Sequence, residues 1–146
     1  MKRSAAGDAL SALVVSVFRL HGALIDVGDA RLAGPAGQSS ARWQVLAAID
    51  ESPRAVAEIA RMLGLARQSV QRVADDVVEA GLATYEPNPL HRRAKLLMLT
   101  TTGRATLETI QAAQRAWANE LGAKIGEDAL LQANDVIADL LEQLRA

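Results

Sequence analysis

The 146-residue chain has no cysteine. That excludes disulfides, thiolate metal sites and thiol-based redox sensing, and it suits a reducing cytosol. Aromatic residues are almost as scarce, at 3% of the chain, although half of it is hydrophobic. Such a core must be assembled from Ala, Leu, Val and Ile, which favours packed helices over a sheet sandwich. Only two histidines are present, His21 and His91, far apart in sequence, so a dedicated zinc site is not expected. No Gly-rich phosphate loop appears, and neither histidine lies beside a serine in a strand-to-helix turn. Nothing here assembles a nucleophile with its base, and no enzyme is expected.

Targeting signals are weak. Met1-Lys2-Arg3 followed by an apolar run to Phe18 imitates a signal peptide, but Asp8 interrupts the approach and Arg19 and His21 follow at once. Leu10, Leu13, Val14, Val17, Leu20 and Leu24 recur at helical spacing, so the segment reads as an amphipathic helix of the mature protein. No stretch reads as long and apolar enough to span a bilayer, and a cytoplasmic protein without a membrane partner is expected.

Net charge is small, at −1, but the charges are unevenly placed. Residues 54–104 hold eight Lys/Arg against five Asp/Glu, and residues 105–146 hold three against seven. The chain before residue 54 is balanced at five and five. A local positive excess of this kind marks where an anionic partner would sit.

What is present is mostly helical. A first helix is expected over 8–32, broken by the Gly- and Pro-containing stretch 33–40. A second starts at Ser39 or Ser40 as cap and ends near 50–53. A third covers about 55–63, Gly64 punctuates, and a fourth spans 67–80 up to Gly81. Residues 82–85 and 95–100 read as two strands joined by a turn-rich loop, which makes a hairpin. Thr101 or Thr102 is expected to cap a long helix to about residue 125, followed by a last helix over 127–144 with one apolar stripe.

The most informative segment is Val56 to Val73, VAEIARMLGLARQSVQRV. Ala60 is small where two helices must approach, and Gly64 lies four residues on, where a left-handed backbone favours glycine. Ile59, Leu63, Leu65, Val70 and Val73 are expected to form a small core between the helices, the helix-turn-helix pattern. Arg67, Gln68, Ser69, Gln71 and Arg72 then stand near the start of the fourth helix. Arg can hold guanine with two hydrogen bonds and Gln can hold adenine likewise. The same side chains would also serve as solvated surface, but the preceding motif selects DNA contact. In the hairpin, His91, Arg92, Arg93 and Lys95 crowd cations at a loop tip, a costly arrangement unless an anion such as a DNA minor groove is expected.

Together ARWQVLAAI, EIARMLGLARQSVQRVADDVVEAGL and NPLHRRAKLLMLTTTGR resemble the MarR family of winged-helix regulators, over nearly the whole chain. The resemblance implies a mainly α fold: one domain over 1–146, a winged helix-turn-helix DNA-binding core over 39–100 with an α/β wing hairpin, and dimerisation helices at 8–32 and 101–146. It implies a homodimeric regulator of double-stranded DNA, a repressor, with the fourth helix in the major groove and Arg93 in the minor groove. The long apolar stripes at residues 10–24 and 130–144 support a dimer independently. His91 stands where the family has an aspartate that orients the wing arginine, Asp76 stands where a basic residue is common, and Ala66 replaces a Ser/Thr cap. The family also binds small phenolic or anionic effectors between dimer helices and winged domain, and the candidates here are Arg19, His21, Arg42 and Trp43. For His21 a hydrogen-bonded histidine in the dimer core is the plainer reading, and for Trp43 core packing is. Arg42 also reads as a surface or phosphate-contacting residue. The rival to a DNA-binding role is a winged-helix module that binds protein, to which the near-neutral charge, Asp75, Asp76 and His91 lend weight.

Overall fold

The computed structural model describes residues 2–146. The chain falls into two compact units, Met1–Ile110 and Gln111–Ala146, and one helix runs through the boundary.

In the first unit, α1 (Ala5–Val27) starts at Ser4, whose hydroxyl accepts from the Gly7 amide. It passes into a π-turn, Gly28–Leu32, and a short 3-10 turn, Gly34–Ala36. Ser40 pins this joint to α2 (Ser40–Ala48). Its amide donates to Asp29 Oδ1 at 2.6 Å and its hydroxyl to the Ile25 carbonyl at 3.1 Å. Ser39 caps α2 by accepting from the Arg42 amide. Then follow β1 (Arg54–Ala55), α3 (Val56–Leu63), α4 (Arg67–Glu79), β2 (Ala83–Glu86) and β3 (Leu96–Leu99).

The sheet is antiparallel with β3 in the middle, in the order β1-β3-β2. Ala83 pairs with Leu99 and Glu86 with Leu96, while Arg54 pairs with Leu97 on the other edge. Strand alternation drives Leu97 and Leu99 into the core and leaves Met98 out. Leu46, Ile49, Ile59, Val70, Val77, Leu82 and Leu97 form one apolar cluster, closed by Leu107 from the first turns of α5 (Thr101–Ile125). At roughly 25 cal/mol per Å² of apolar surface removed from water, this cluster is what fixes α4 and the hairpin to one body.

Three expectations are corrected. Leu65 is not core: it is 47% exposed just past the turn, while Leu63 and Val73 are half-buried. The cap of α5 is Thr100, not Thr101 or Thr102. Its hydroxyl accepts from the Gly103 amide at 3.0 Å and donates to the Gly81 carbonyl at 2.7 Å. And by length and composition the stretch Ala5–Leu32 is long enough and apolar enough to cross a membrane. Its Leu, Val and Ala residues outweigh Arg19 and His21 in that test, which core helices of soluble proteins and signal sequences also pass. No residue of α1 is buried, and Phe18 is 72% exposed.

The second unit holds the rest of α5 and, after Gly126, α6 (Glu127–Arg145). Leu130, Leu131, Ile137, Leu141 and Leu144 all stay exposed along α6.

Candidate nucleic-acid interface

The helix pair α3–α4 is set by its turn. Gly64 ends α3 with φ 66°. The Leu65 amide reaches back to the Ala60 carbonyl at 3.0 Å and the Gly64 amide to Arg61 at 3.4 Å, closing the carbonyls at the end of α3. Nothing lies within 4 Å of where a Cβ would stand on Gly64, so the requirement is the left-handed backbone and not space. Buried Ala60 lets the two helices approach. The side chain of Ala66 offers α4 no cap.

Helix α4 divides cleanly. Val70, Ala74 and Val77 are buried, so Arg67, Gln68, Ser69, Gln71 and Arg72 are turned outward, and all five are exposed. Asp76 is exposed as well. In the wing, the His91 amide donates to the Asn88 carbonyl and the Ala94 amide to the His91 carbonyl, which folds the loop into successive turns. His91, Arg92, Arg93 and Lys95 are all exposed on it.

The two elements meet in one groove of about 250 Å³. Arg67 and Gln71 line it from α4, Tyr85 from β2, and Arg93 and Lys95 from the wing. Arg72, Gln68, Ser69, His91 and Arg92 lie outside its lining. Among the described residues none of Arg67, Arg72, Arg92, Arg93 and Lys95 forms an ion pair. Two other arginines of the basic stretch, Arg54 and Arg104, are engaged internally. Arg54 holds Glu58 at 2.7 Å and the Ala48 carbonyl at 2.9 Å, and Arg104 holds Asp50 at 2.9 Å. The cations of this stretch left without an ion pair among the described residues are therefore those around the groove, together with Arg61, Arg72 and Arg92, and like charges sharing one groove favour an anion between them.

One feature of the groove was not legible in the sequence. Tyr85 donates to Asp75 Oδ1 at 2.6 Å, and the Gln71 side-chain nitrogen donates to the same carboxylate oxygen at 3.0 Å and to the Tyr85 hydroxyl at 2.9 Å. This triangle ties β2 to α4. Burial, then the hydrogen bond and negative charge of Asp75, push the Tyr85 hydroxyl up to about 12, against a smaller opposing effect of Gln71. The Gln71–Asp75 spacing of four residues was a readable signal, but the tyrosine comes from a non-local strand.

The candidate effector residues are placed separately. Arg19 and His21 are exposed on α1. Arg42 is half-buried and donates to Gln38 Oε1 at 3.3 Å. Trp43 is half-buried against the core cluster, the plainer of its two readings. No hydrogen bond or ion pair joins these four among the described residues, and none lines the groove. The described residues contain no group of three or more His, Asp or Glu able to hold a metal.

Comparison with known proteins gives a consistent result. A sequence profile described as the MarR family matches residues 37–94. An uncharacterized protein of Mycobacterium tuberculosis is 37% identical over 139 residues, covering 95% of this chain and 96% of its own. Among solved structures, the transcriptional repressor CouR bound to a 23-mer DNA duplex aligns with TM-score 0.72 and 27% identity, over 94% of this chain and 99% of that one. CouR from Rhodococcus jostii RHA1 bound to p-coumaroyl-CoA aligns with TM-score 0.78 and 21% identity, over 88% and 90%.

Proposed function

The chain belongs to the MarR family of transcription regulators, which are not enzymes, and from that membership we propose that it is a sequence-specific double-stranded DNA-binding repressor acting as a cytoplasmic homodimer. The observation that carries this reading is the shared groove. Arg67 and Gln71 of the helix-turn-helix and Arg93 and Lys95 of the wing face one space, with no ion pair to neutralise them. Helix α4 enters the major groove, where Arg67, Gln68, Ser69, Gln71 and Arg72 meet base edges and phosphates. The wing follows the backbone into the adjacent minor groove, led by Arg93, with His91, Arg92 and Lys95 on flanking phosphates.

In this reading residues 39–100 are the DNA-binding core, and residues 8–32 and 101–146 supply the dimer interface. The exposed apolar side chains of α1 and of α6 support it, since each is a face with no cover in a single copy. A two-fold dimer brings its two α4 helices to half-sites about 34 Å apart, one DNA turn. A small phenolic or anionic effector, held among Arg19, His21, Arg42 and Trp43 in the dimer, releases DNA by preferring a different spacing of the two heads. That CouR has been solved with both a duplex and p-coumaroyl-CoA supports such a scheme.

Selection of bound sequences from a random duplex pool tests the function. A two-fold symmetric site is expected, with half-sites about ten base pairs apart. Failure to enrich any duplex at low salt would refute it.

A further inference from the structure

We propose that Leu90, at the tip of the wing, enters the minor groove of the bound duplex and packs against the sugars that wall it, as an apolar anchor beside the wing cations. The inference rests on the DNA-binding reading above and adds to it a contact that charge does not supply.

A single exposed leucine is ordinary on a protein surface and by itself means nothing. Leu90 is set apart by three further observations. It is 86% exposed, more than any other large hydrophobic side chain among the described residues, and it belongs to no part of the core cluster. Its backbone is held in place. The Leu90 amide donates to Asn88 Oδ1 at 3.0 Å and the His91 amide to the Asn88 carbonyl at 3.3 Å, while the ring of Pro89 fixes its own φ between them. The side chain is therefore carried on an ordered turn. Such turns favour Gly, Asn, Asp and Ser, and no packing in the fold asks for a leucine here. Lastly, His91, Arg92 and Arg93 follow at once, all exposed, and neither arginine forms an ion pair among the described residues.

Those cations decide what covers the leucine. An apolar partner surface would have to take unpaired cations out of water along with Leu90, and the wing of a second copy would bring like charges to meet them. A duplex satisfies both chemistries at once. Its phosphates receive the cations, and between the phosphate rims lies a minor groove about 6 Å wide, walled by deoxyribose carbons. Apolar side chains, leucine among them, are known occupants of minor grooves. The two kinds of contact then divide the work. The cations release counterions and set the dependence on salt, whereas burying the carbons of Leu90 releases none and is not screened.

The test is anisotropy titration of a duplex selected by the wild-type protein, at several salt concentrations, with wild type, Leu90→Ala, Leu90→Asn and Leu90→Met. Leu90→Ala is expected to bind about tenfold more weakly at every salt concentration, because two side chains per dimer each lose part of their burial. Its plot of log affinity against log salt should run parallel to that of wild type. Leu90→Asn, similar in size but polar, should lose as much, and Leu90→Met should stay within about threefold of wild type. Urea unfolding of all four should coincide, since the side chain lies outside the core cluster. In protein with isotope-labelled leucine methyls, the Leu90 signals, identified by their absence in Leu90→Ala, should move when duplex is added.

Leu90→Ala affinity within about twofold of wild type would overturn the inference and leave the DNA-binding reading standing on the wild-type titration. So would Leu90→Asn binding as well as wild type, or Leu90 methyl signals that stay in place when duplex is added. A change of particle mass in Leu90→Ala without DNA would assign the side chain to a second copy of the chain instead. If wild type binds no duplex at low salt, the DNA-binding reading falls and the inference falls with it.

Discussion

Arg93→Ala should weaken binding to any duplex and flatten its dependence on salt. Each protomer directs Arg67, Arg93 and Lys95 into one groove, so a dimer offers six such cations. If each neutralises one phosphate, the logarithm of the binding constant falls with the logarithm of salt with a slope of about −5. Raising salt from about 50 to about 200 mM then costs about three decades in affinity. Removing Arg93 from both protomers takes away two neutralised phosphates. The slope falls to about −3.6, and the same change in salt costs about two decades. Because Arg93 is exposed and forms no ion pair among the described residues, the fold should be indifferent to its loss, within about 0.5 kcal/mol. Fluorescence anisotropy of a labelled duplex, titrated at several salt concentrations, measures both slopes, and urea unfolding supplies the control. A variant with unaltered stability and an unaltered slope would refute the placement of the wing on DNA.

Other consequences follow from the same structure. Tyr85 is the chain's single tyrosine, so tyrosinate absorbance reports it alone, and its midpoint should lie near 12 and fall in Asp75→Ala. Since the folded chain holds this proton more tightly than the unfolded chain, its contribution to stability is complete below about pH 10 and is lost as pH rises from there toward 12. A midpoint near 10 in the folded protein would mean the triangle does not form. Gly103→Ala should destabilise by about 1–3 kcal/mol in urea unfolding, because the added Cβ overlaps the backbone carbonyl of Leu82. In an open helix the same change would stabilise by about 1 kcal/mol, so the sign alone decides. Ile59→Ala, at a fully buried position of the core cluster, should cost about 2–5 kcal/mol. Light scattering at micromolar concentration should find a particle twice the 15.5 kDa chain mass, and a monomer would remove the dimer.

The elements that carry the DNA-binding reading were legible because their causes are local. Gly64 marks its turn, Ala60 its close approach, and the buried set of α4 recurs at helical spacing, so the outward position of Arg67, Gln68, Ser69, Gln71 and Arg72 follows from the sequence. The hairpin was placed within a residue at each end by its alternation and its turn residues. Where the reading failed, the cause was non-local. The strand Arg54–Ala55 has two residues and exists only because β3 supplies its partner. Thr100 caps α5 because the same hydroxyl also reaches Gly81, across a strand. Leu65 sits beside Gly64 in a pattern that suits burial, yet the reversal of the chain turns it to solvent.

The same distinction explains why α1 is ambiguous in sequence and in a single copy of the chain. A helix that buries its stripe against its own chain declares itself by a polar face. One that buries it against a second copy can be apolar over most of its circumference, and so satisfies the length and composition of a membrane span. Leu10, Val14, Val17, Phe18, Leu20 and Leu24 all remain exposed. Arg19 and His21 on the same helix are difficult to place in hydrocarbon but simple to place at the edge of a protein interface, where polar heads reach water and apolar stems are covered. The polar residues along α1 suit the second copy of the chain that the proposed dimer would supply.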